Sequence, residues 1–326
     1  MATLHVTNGD STATTLASLG LGGSELGGRV VGGRVVGGRV VGGRVIVWRD
    51  ALHTGPVPDV PDAELRHVRA GFLSAAAGLR RESVLRDLED RDRTLDTHVG
   101  DFVLWFEADL YDQLQLVQIL ARLHARNVDP ARISLVCIGE FPGRGHFGGL
   151  GELTAAEFGT LLDAGRLLTE AALHQATGAW AALRSPTPTG LGAIDDSDDL
   201  RFVGEAFDRL AREYPSTRDG LSLTERRILA GAADAPIGRF DLFGRVFRCE
   251  HHPFLGDSWF FATVDSLGPL LARDADMVAL TDAGRRVLDG TADRVDLLGI
   301  DRWIGGVHVT DGRWRFDEGR EAVVPR

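Results

Sequence analysis

Lysine is absent from the 326-residue sequence, and all 36 basic residues are arginine. A Walker-A phosphate loop uses a lysine on the phosphates. Pyridoxal-phosphate and Schiff-base enzymes need an amine nucleophile. The sequence therefore excludes those classes. Cysteine is nearly absent too: Cys137 and Cys249 make no disulfide framework and fit a reducing compartment. No apolar run approaches the roughly 18 residues that span a bilayer. The opening MATLHVTNGDS has no basic segment of the kind that starts a signal peptide. The expectation is a cytoplasmic protein with no membrane partner.

What is present is ordinary in bulk and unusual in detail. The chain is 44% hydrophobic and 25% charged, enough to bury a sizeable core without disulfides. At about 150 residues per domain, the length implies two domains. Acids outnumber bases, 47 to 36, for a net charge of −11. Arginine in place of lysine, with abundant Ala and Gly, fits a GC-rich bacterial genome.

Short apolar runs at Leu4–Thr7, Val45–Trp48, Phe102–Phe106 and Ile133–Ile138 read as strands. Helical patterns separate them at Thr12–Leu19, Asp62–Leu79, Glu82–Asp96 and Leu110–His124. Strands alternating with helices imply right-handed crossovers and a mainly parallel sheet. The fold class expected is α/β, a Rossmann-like open sheet over residues 1–183. Within it, residues 26–46 hold tandem GGRVV copies starting at Gly27, Gly32, Gly37 and Gly42. Five residues match neither the helix nor the strand period, so the repeat reads as an exposed protrusion. Residues 184–215 mix Pro, Gly, Ser and Asp before a connecting helix and read as a linker. Residues 216–326 follow as a smaller winged-helix-like α+β domain: a capped helix at Ser222–Glu225, a helix over Ser258–Leu267, and VALTDAGRRVL as a strand entering a last helix. Asp311-Gly312 within VHVTDGRWRF predicts a terminal hairpin, with Trp303 and Trp314 buried.

Four segments carry a resemblance. LHVTNGDSTATTL (Leu4–Leu16), VWRDALHTGPVP (Val47–Pro58), LWFEADLYDQLQLVQIL (Leu104–Leu120) and CIGEFPGRGHFGGLGELT (Cys137–Thr154) together resemble the bacterial family called domain of unknown function 1835. The match spans about the first half of the chain, with motifs in family order. LTERRIL, HPFLGD and LGIDRWIGGVHV look like the C-terminal half carried by many members. The GGRVV expansion departs from the family pattern, which has a short turn there. The resemblance implies a domain plan and no activity.

In an open parallel sheet, ligands bind outside the carboxyl ends of the strands. Here each predicted strand ends in polar residues: Asn8, Asp10 and Ser11; Asp50 and His53; Glu107, Asp109, Asp112 and Gln113; Glu140, with His146 beyond it. Asp10 and Asp109 also suit helix N-caps, and acids at helix starts suit the macrodipole. Any one acid is more simply structural; the set is not. Glu107 directly follows an apolar run and caps nothing. The expectation is one polar cleft for a phosphorylated or nucleotide-like small molecule. Asn8, Asp10, Asp50, Asp112, Gln113, Glu140 and His146 would bind the ligand. Glu107, Asp109, His53 and Ser11 would act in catalysis, and Asp10, Glu107 and Asp109 would hold magnesium.

Other constellations are weaker. Gly9-Asp10-Ser11 resembles the nucleophile segment of GDS-type serine hydrolases, with His53 or His146 as base, but the late Asp-x-x-His pair of those enzymes is missing. Cys249, Glu250, His251 and His252 lack a second pair at zinc-ligand spacing and read as surface histidines beside a buried cysteine. A ligand-sensing regulator that binds nucleic acid through the C-terminal half is the rival function. Charge disfavours it, because from Ser216 onward 18 acids face 15 arginines. Trp259, Phe260 and Phe261 in the candidate recognition helix suit core or a protein partner better.

Overall fold

The computed structural model describes residues 2–21, 34–36, 39–41, 43–145 and 147–326. It divides into two compact units. The first comprises Met1–Leu52, Asp59–Ala182 and Asp196–Val203; the second comprises His53–Pro58, Leu183–Asp195 and Gly204–Arg326.

The first unit runs β1 (Thr3–Thr7), α1 (Asp10–Ser18), β2 (Arg34–Val36), β3 (Arg39–Val41), β4 (Gly43–Val47), α2 (Asp62–Ala77), α3 (Arg81–Thr97), β5 (Asp101–Glu107), α4 (Leu110–Ala125), β6 (Ile133–Ile138), α5 (Ala155–Gly159), β7 (Arg166–Leu167) and α6 (Glu170–Arg184). Five strands form one sheet in the order β4-β1-β5-β6-β7. The pairings β1–β4, β1–β5 and β5–β6 are parallel, and β7 closes one edge antiparallel. The sequence DFVLWFE in β5 has the near-continuous apolar character of a strand covered on both faces. All five residues of β1 are buried. Among them is His5, whose Nδ1 accepts from the Trp105 indole at 3.1 Å. Burial pushes this imidazole down to about 4, so it is neutral and serves as an acceptor inside the sheet.

Half of the GGRVV repeat lies outside the described residues. Of the expected protrusion, the structure describes β2 and β3, paired antiparallel, before the chain enters β4 at Gly43.

The second unit continues with α7 (Val203–Ala211), α8 (Leu223–Gly231), β8 (Ile237–Gly238), α9 (Arg239–Phe247), α10 (Asp257–Ser266), β9 (Leu271–Asp274), β10 (Met277–Leu280), α11 (Asp282–Leu288), α12 (Arg294–Leu298), β11 (Arg302–Ile304), β12 (Val307–Val309), β13 (Trp314–Asp317) and β14 (Ala322–Pro325). Strands β8, β10 and β9 make a small antiparallel sheet. Ile228, Leu229, Leu242, Val246, Phe260 and Val264 form its core with Val287. The capping box predicted at Ser222 and Glu225 opens α8.

Two expectations for the C-terminal end require correction. The Asp311-Gly312 pair joins no hairpin: β12 pairs with β11, and β13 pairs with β14. The tight turn falls at Gly305-Gly306, with φ of 58° at Gly305. Asp311 instead accepts from the Arg313 amide at 2.9 Å, a local turn that links the two hairpins. Trp303 and Trp314 are half-buried. Strand alternation puts Val307 and Val309 inward and His308 outward, and Trp303 shares the face of His308, its register partner. The two rings stack at 4.5 Å and 5°.

Among the described residues, no helix is long and apolar enough to cross a membrane.

Candidate functional site

The polar centre of the first unit is built where β5 ends and α4 begins. Asp109 is the N-cap of α4, and its Oδ1 accepts from the Asp112 amide at 3.1 Å. That cap turns Asp112 back toward the strand, where its Oδ2 accepts from the Glu107 amide at 2.7 Å. Its Oδ1 accepts from the Asn8 carboxamide at 2.6 Å, tying the residue after β1 to the residue after β5. Gln113, next on the helix, donates to the Glu107 carbonyl at 2.5 Å and toward Cys137 Sγ at 3.3 Å. One short strand-to-helix turn thus holds Glu107, Asp109 and Asp112 together, with one carboxylate oxygen from each lying within 4.8 Å of the others.

These three carboxyls are buried. Among the described residues, no arginine or histidine forms an ion pair with any of them. The consequence is electrostatic. Burial pushes Glu107 up to about 8, and the neighbouring Asp109 charge adds to the displacement. Burial likewise raises Asp109 to about 7, against the opposing pull of backbone amides. Asp112 lies well above the ordinary carboxylate range, through burial first and then its two acidic neighbours. The Glu107, Asp109 and Asp112 carboxylates each bring an oxygen within 4.8 Å of the others. Two like charges this close do not both ionise without help. The neighbouring Cys137 is no thiolate nucleophile, because burial raises its thiol further from ionisation.

The glycine-rich segment after β6 covers the trio. The Leu150 amide donates to Glu107 Oε1 at 2.7 Å. Gly149 is at φ 133°, and a Cβ there would collide with Glu107 Oε2. Gly149→Ala should therefore cost on the order of 1–3 kcal/mol through a forbidden backbone and a displaced carboxylate. Chemical denaturation checks it, and an unchanged midpoint would show that the segment yields freely. The sequence shows a glycine-rich loop here without showing its purpose; the Gly148-Gly149 pair is its only trace.

The other residues expected in the cleft are placed elsewhere. Asp10 is not in the trio: its side chain is 73% exposed and pairs with Arg49. Asp50 is buried, and its Oδ1 accepts from Arg69 Nε at 2.9 Å and Nη2 at 2.6 Å, so its charge is already neutralised. His53 falls in the second unit, where its ring meets Phe254 and Trp259 edge-on. Ser11 donates its hydroxyl to the Gly151 carbonyl at 2.9 Å, and among the described residues no base accepts from it. Glu140 is exposed, and His146 lies outside the described residues.

The residues weighed for zinc in the second unit also separate. Cys249 is not buried as expected; it is exposed and donates to the Arg245 carbonyl. Glu250 is paired with Arg209 and Arg227. His251 and His252 face Glu205 instead.

The comparison with known proteins adds no relative: no family model matches the chain, and no curated protein matches it either.

Proposed function

We propose that this chain is a bacterial cytoplasmic protein related to the domain of unknown function 1835 family. In this reading a Rossmann-like unit binds a phosphorylated or nucleotide-like small molecule through a divalent cation, and a winged-helix-like unit serves protein contacts. The chemistry the site suits is metal-assisted hydrolysis or phosphoryl transfer. One observation carries the reading: Glu107, Asp109 and Asp112 are buried with a carboxylate oxygen of each within 4.8 Å of the others and no cationic partner among the described residues. Such an arrangement is costly unless protons or a cation offset the repulsion. Three hard oxygen donors suit magnesium or manganese.

Strand order supports the location. The chain passes from β1 to β4 on one side, then to β5 on the other, so connections diverge at the carboxyl ends of β1 and β5. Ligands of open α/β sheets bind at such a switch point. Asn8 and the trio sit there. A bound cation would supply charge stabilisation for phosphate oxygens. The carboxylates of Glu107, Asp109 and Asp112 would hold the ion in place of their protons, with Asn8 orienting Asp112 through its 2.6 Å hydrogen bond. Opening of the segment around Gly149 would admit the ligand.

The order α8-β8-α9-α10-β9-β10 supports the winged-helix-like reading, with α10 in the recognition position. That helix begins at Asp257, and Asp265 near its end pairs with Arg273 on the neighbouring strand. This neutralises the arginine a phosphate would use, so protein contact is preferred to nucleic acid.

Manganese binding followed by electron paramagnetic resonance tests the site. Wild type should take up one equivalent, and Asp112→Asn should weaken it at least about tenfold, since one charged donor is lost. A wild-type protein that binds no manganese at millimolar concentration would overturn the proposal.

A further inference from the structure

A second constellation in the first unit has donors of a different kind. Glu170 and His174 stand one turn apart on the same face of α6. His124, near the end of α4, meets them: its Nε2 lies 3.3 Å from Glu170 Oε1, and His174 Nε2 lies 3.6 Å from the same oxygen. The two imidazole rings are 4.5 Å apart and nearly perpendicular.

The proton on His124 can be placed. Thr177 donates its hydroxyl to the Leu173 carbonyl at 2.8 Å. A hydroxyl has one proton; directed to that carbonyl, it leaves the oxygen to accept at its 2.8 Å contact with His124 Nδ1. In the neutral ring Nδ1 therefore carries the hydrogen, and the lone pair on Nε2 points toward Glu170 and His174. A hydrogen bond on the far ring nitrogen that fixes tautomer and orientation is the usual support of a metal-bound histidine.

The separations agree. Zinc bonds of 2.0–2.1 Å in a tetrahedral centre place donor atoms about 3.3 Å apart. All three donor atoms here lie within 4.8 Å of one another. Glu170 and His174 are largely exposed, so small rotations can close the remaining gap. We infer that His124, Glu170 and His174 form a zinc site whose fourth position is open to water or an anionic oxygen ligand. Two neutral imidazoles and one carboxylate leave the zinc with a net positive charge, which favours that anion. The site is separate from the magnesium reading and stands without it.

Zinc competition against a chromophoric chelator tests this on the full chain freed of any histidine tag. Wild type should bind one equivalent with micromolar affinity or better, and cobalt in its place should give the intense visible bands of a four-coordinate centre. His174→Ala and Glu170→Gln, both at exposed positions, should each weaken binding at least about tenfold, and Thr177→Val by about tenfold through the lost tautomer lock. His251→Ala, in the trio with Glu205 and His252, should leave affinity unchanged. No zinc uptake by wild type, or uptake lost in His251→Ala and kept in His174→Ala, would overturn the inference.

Discussion

The metal-free protein is expected to be more stable near pH 5 than near pH 8, with Glu107, Asp109 and Asp112 responsible. Each carboxyl holds its proton more tightly in the folded chain than in the unfolded one. Between the ordinary carboxylate range and the raised values of about 7 and about 8, the folded state binds more protons. Stability is therefore greatest below that window and is lost as pH climbs through it. One unit of displacement corresponds to about 1.4 kcal/mol, so the fall should amount to a few kcal/mol. Magnesium should restore stability near pH 8 and do little near pH 5, where protons occupy the oxygens. Glu107→Gln should flatten the slope and melt higher than wild type at alkaline pH without metal. Were Glu107 merely an acceptor for the Leu150 amide, the same change would instead lower stability by about 1 kcal/mol. Thermal melts of both proteins across this range, with and without magnesium, decide. A flat wild-type profile would remove the electrostatic basis of the site.

The residues of the trio are legible because strand ends are legible. Once β1 and β5 are read from their apolar runs, parallel pairing alone brings Asn8 and Glu107 to one edge. Direction is not legible. Asp10 and Asp50 also follow strands, yet Asp10 turns outward to Arg49 and Asp50 is claimed by Arg69 from α2. Nothing in the spacing of 19 residues between Asp50 and Arg69 announces that pairing. The C-terminal hairpins show the same division. Gly305-Gly306 and Asp311-Gly312 are both good turn sequences, and local chemistry does not choose between them. The choice is made by which face of β12 is buried, a non-local matter. His124 and the Glu170–His174 pair lie on helices separated by β6 and β7, so their meeting has no sequence signal.

Glu213→Gln should destabilise the second unit by about 3–5 kcal/mol, because it removes one partner from a buried network of charges. Glu213 follows α7 and is buried, with Arg209 Nη1 at 2.8 Å, Arg302 on its other oxygen and the Thr224 hydroxyl donating to it. Burial alone would raise this carboxyl; the Arg209 and Arg302 charges and the Thr224 hydrogen bond outweigh it and hold the group down to about 2. Arg209 in turn binds Glu250 and lies over the Phe254 ring at 4.9 Å, so it cannot swing out to water without breaking further contacts. Neutralising Glu213 leaves Arg302 without its nearest buried anion and Arg209 with one fewer. The melting temperature should fall by roughly 10 °C for a unit of this size. The sign of the pH dependence separates this effect from that of the trio. A depressed carboxyl contributes stability that is complete above the ordinary glutamate range and is lost only as pH falls through about 2. The gap between wild type and Glu213→Gln should therefore be constant around neutrality and narrow in acid, the reverse of the Glu107→Gln pattern. A gap below about 1 kcal/mol at neutral pH would mean that water reaches the guanidiniums and that the network acts as a surface ion pair.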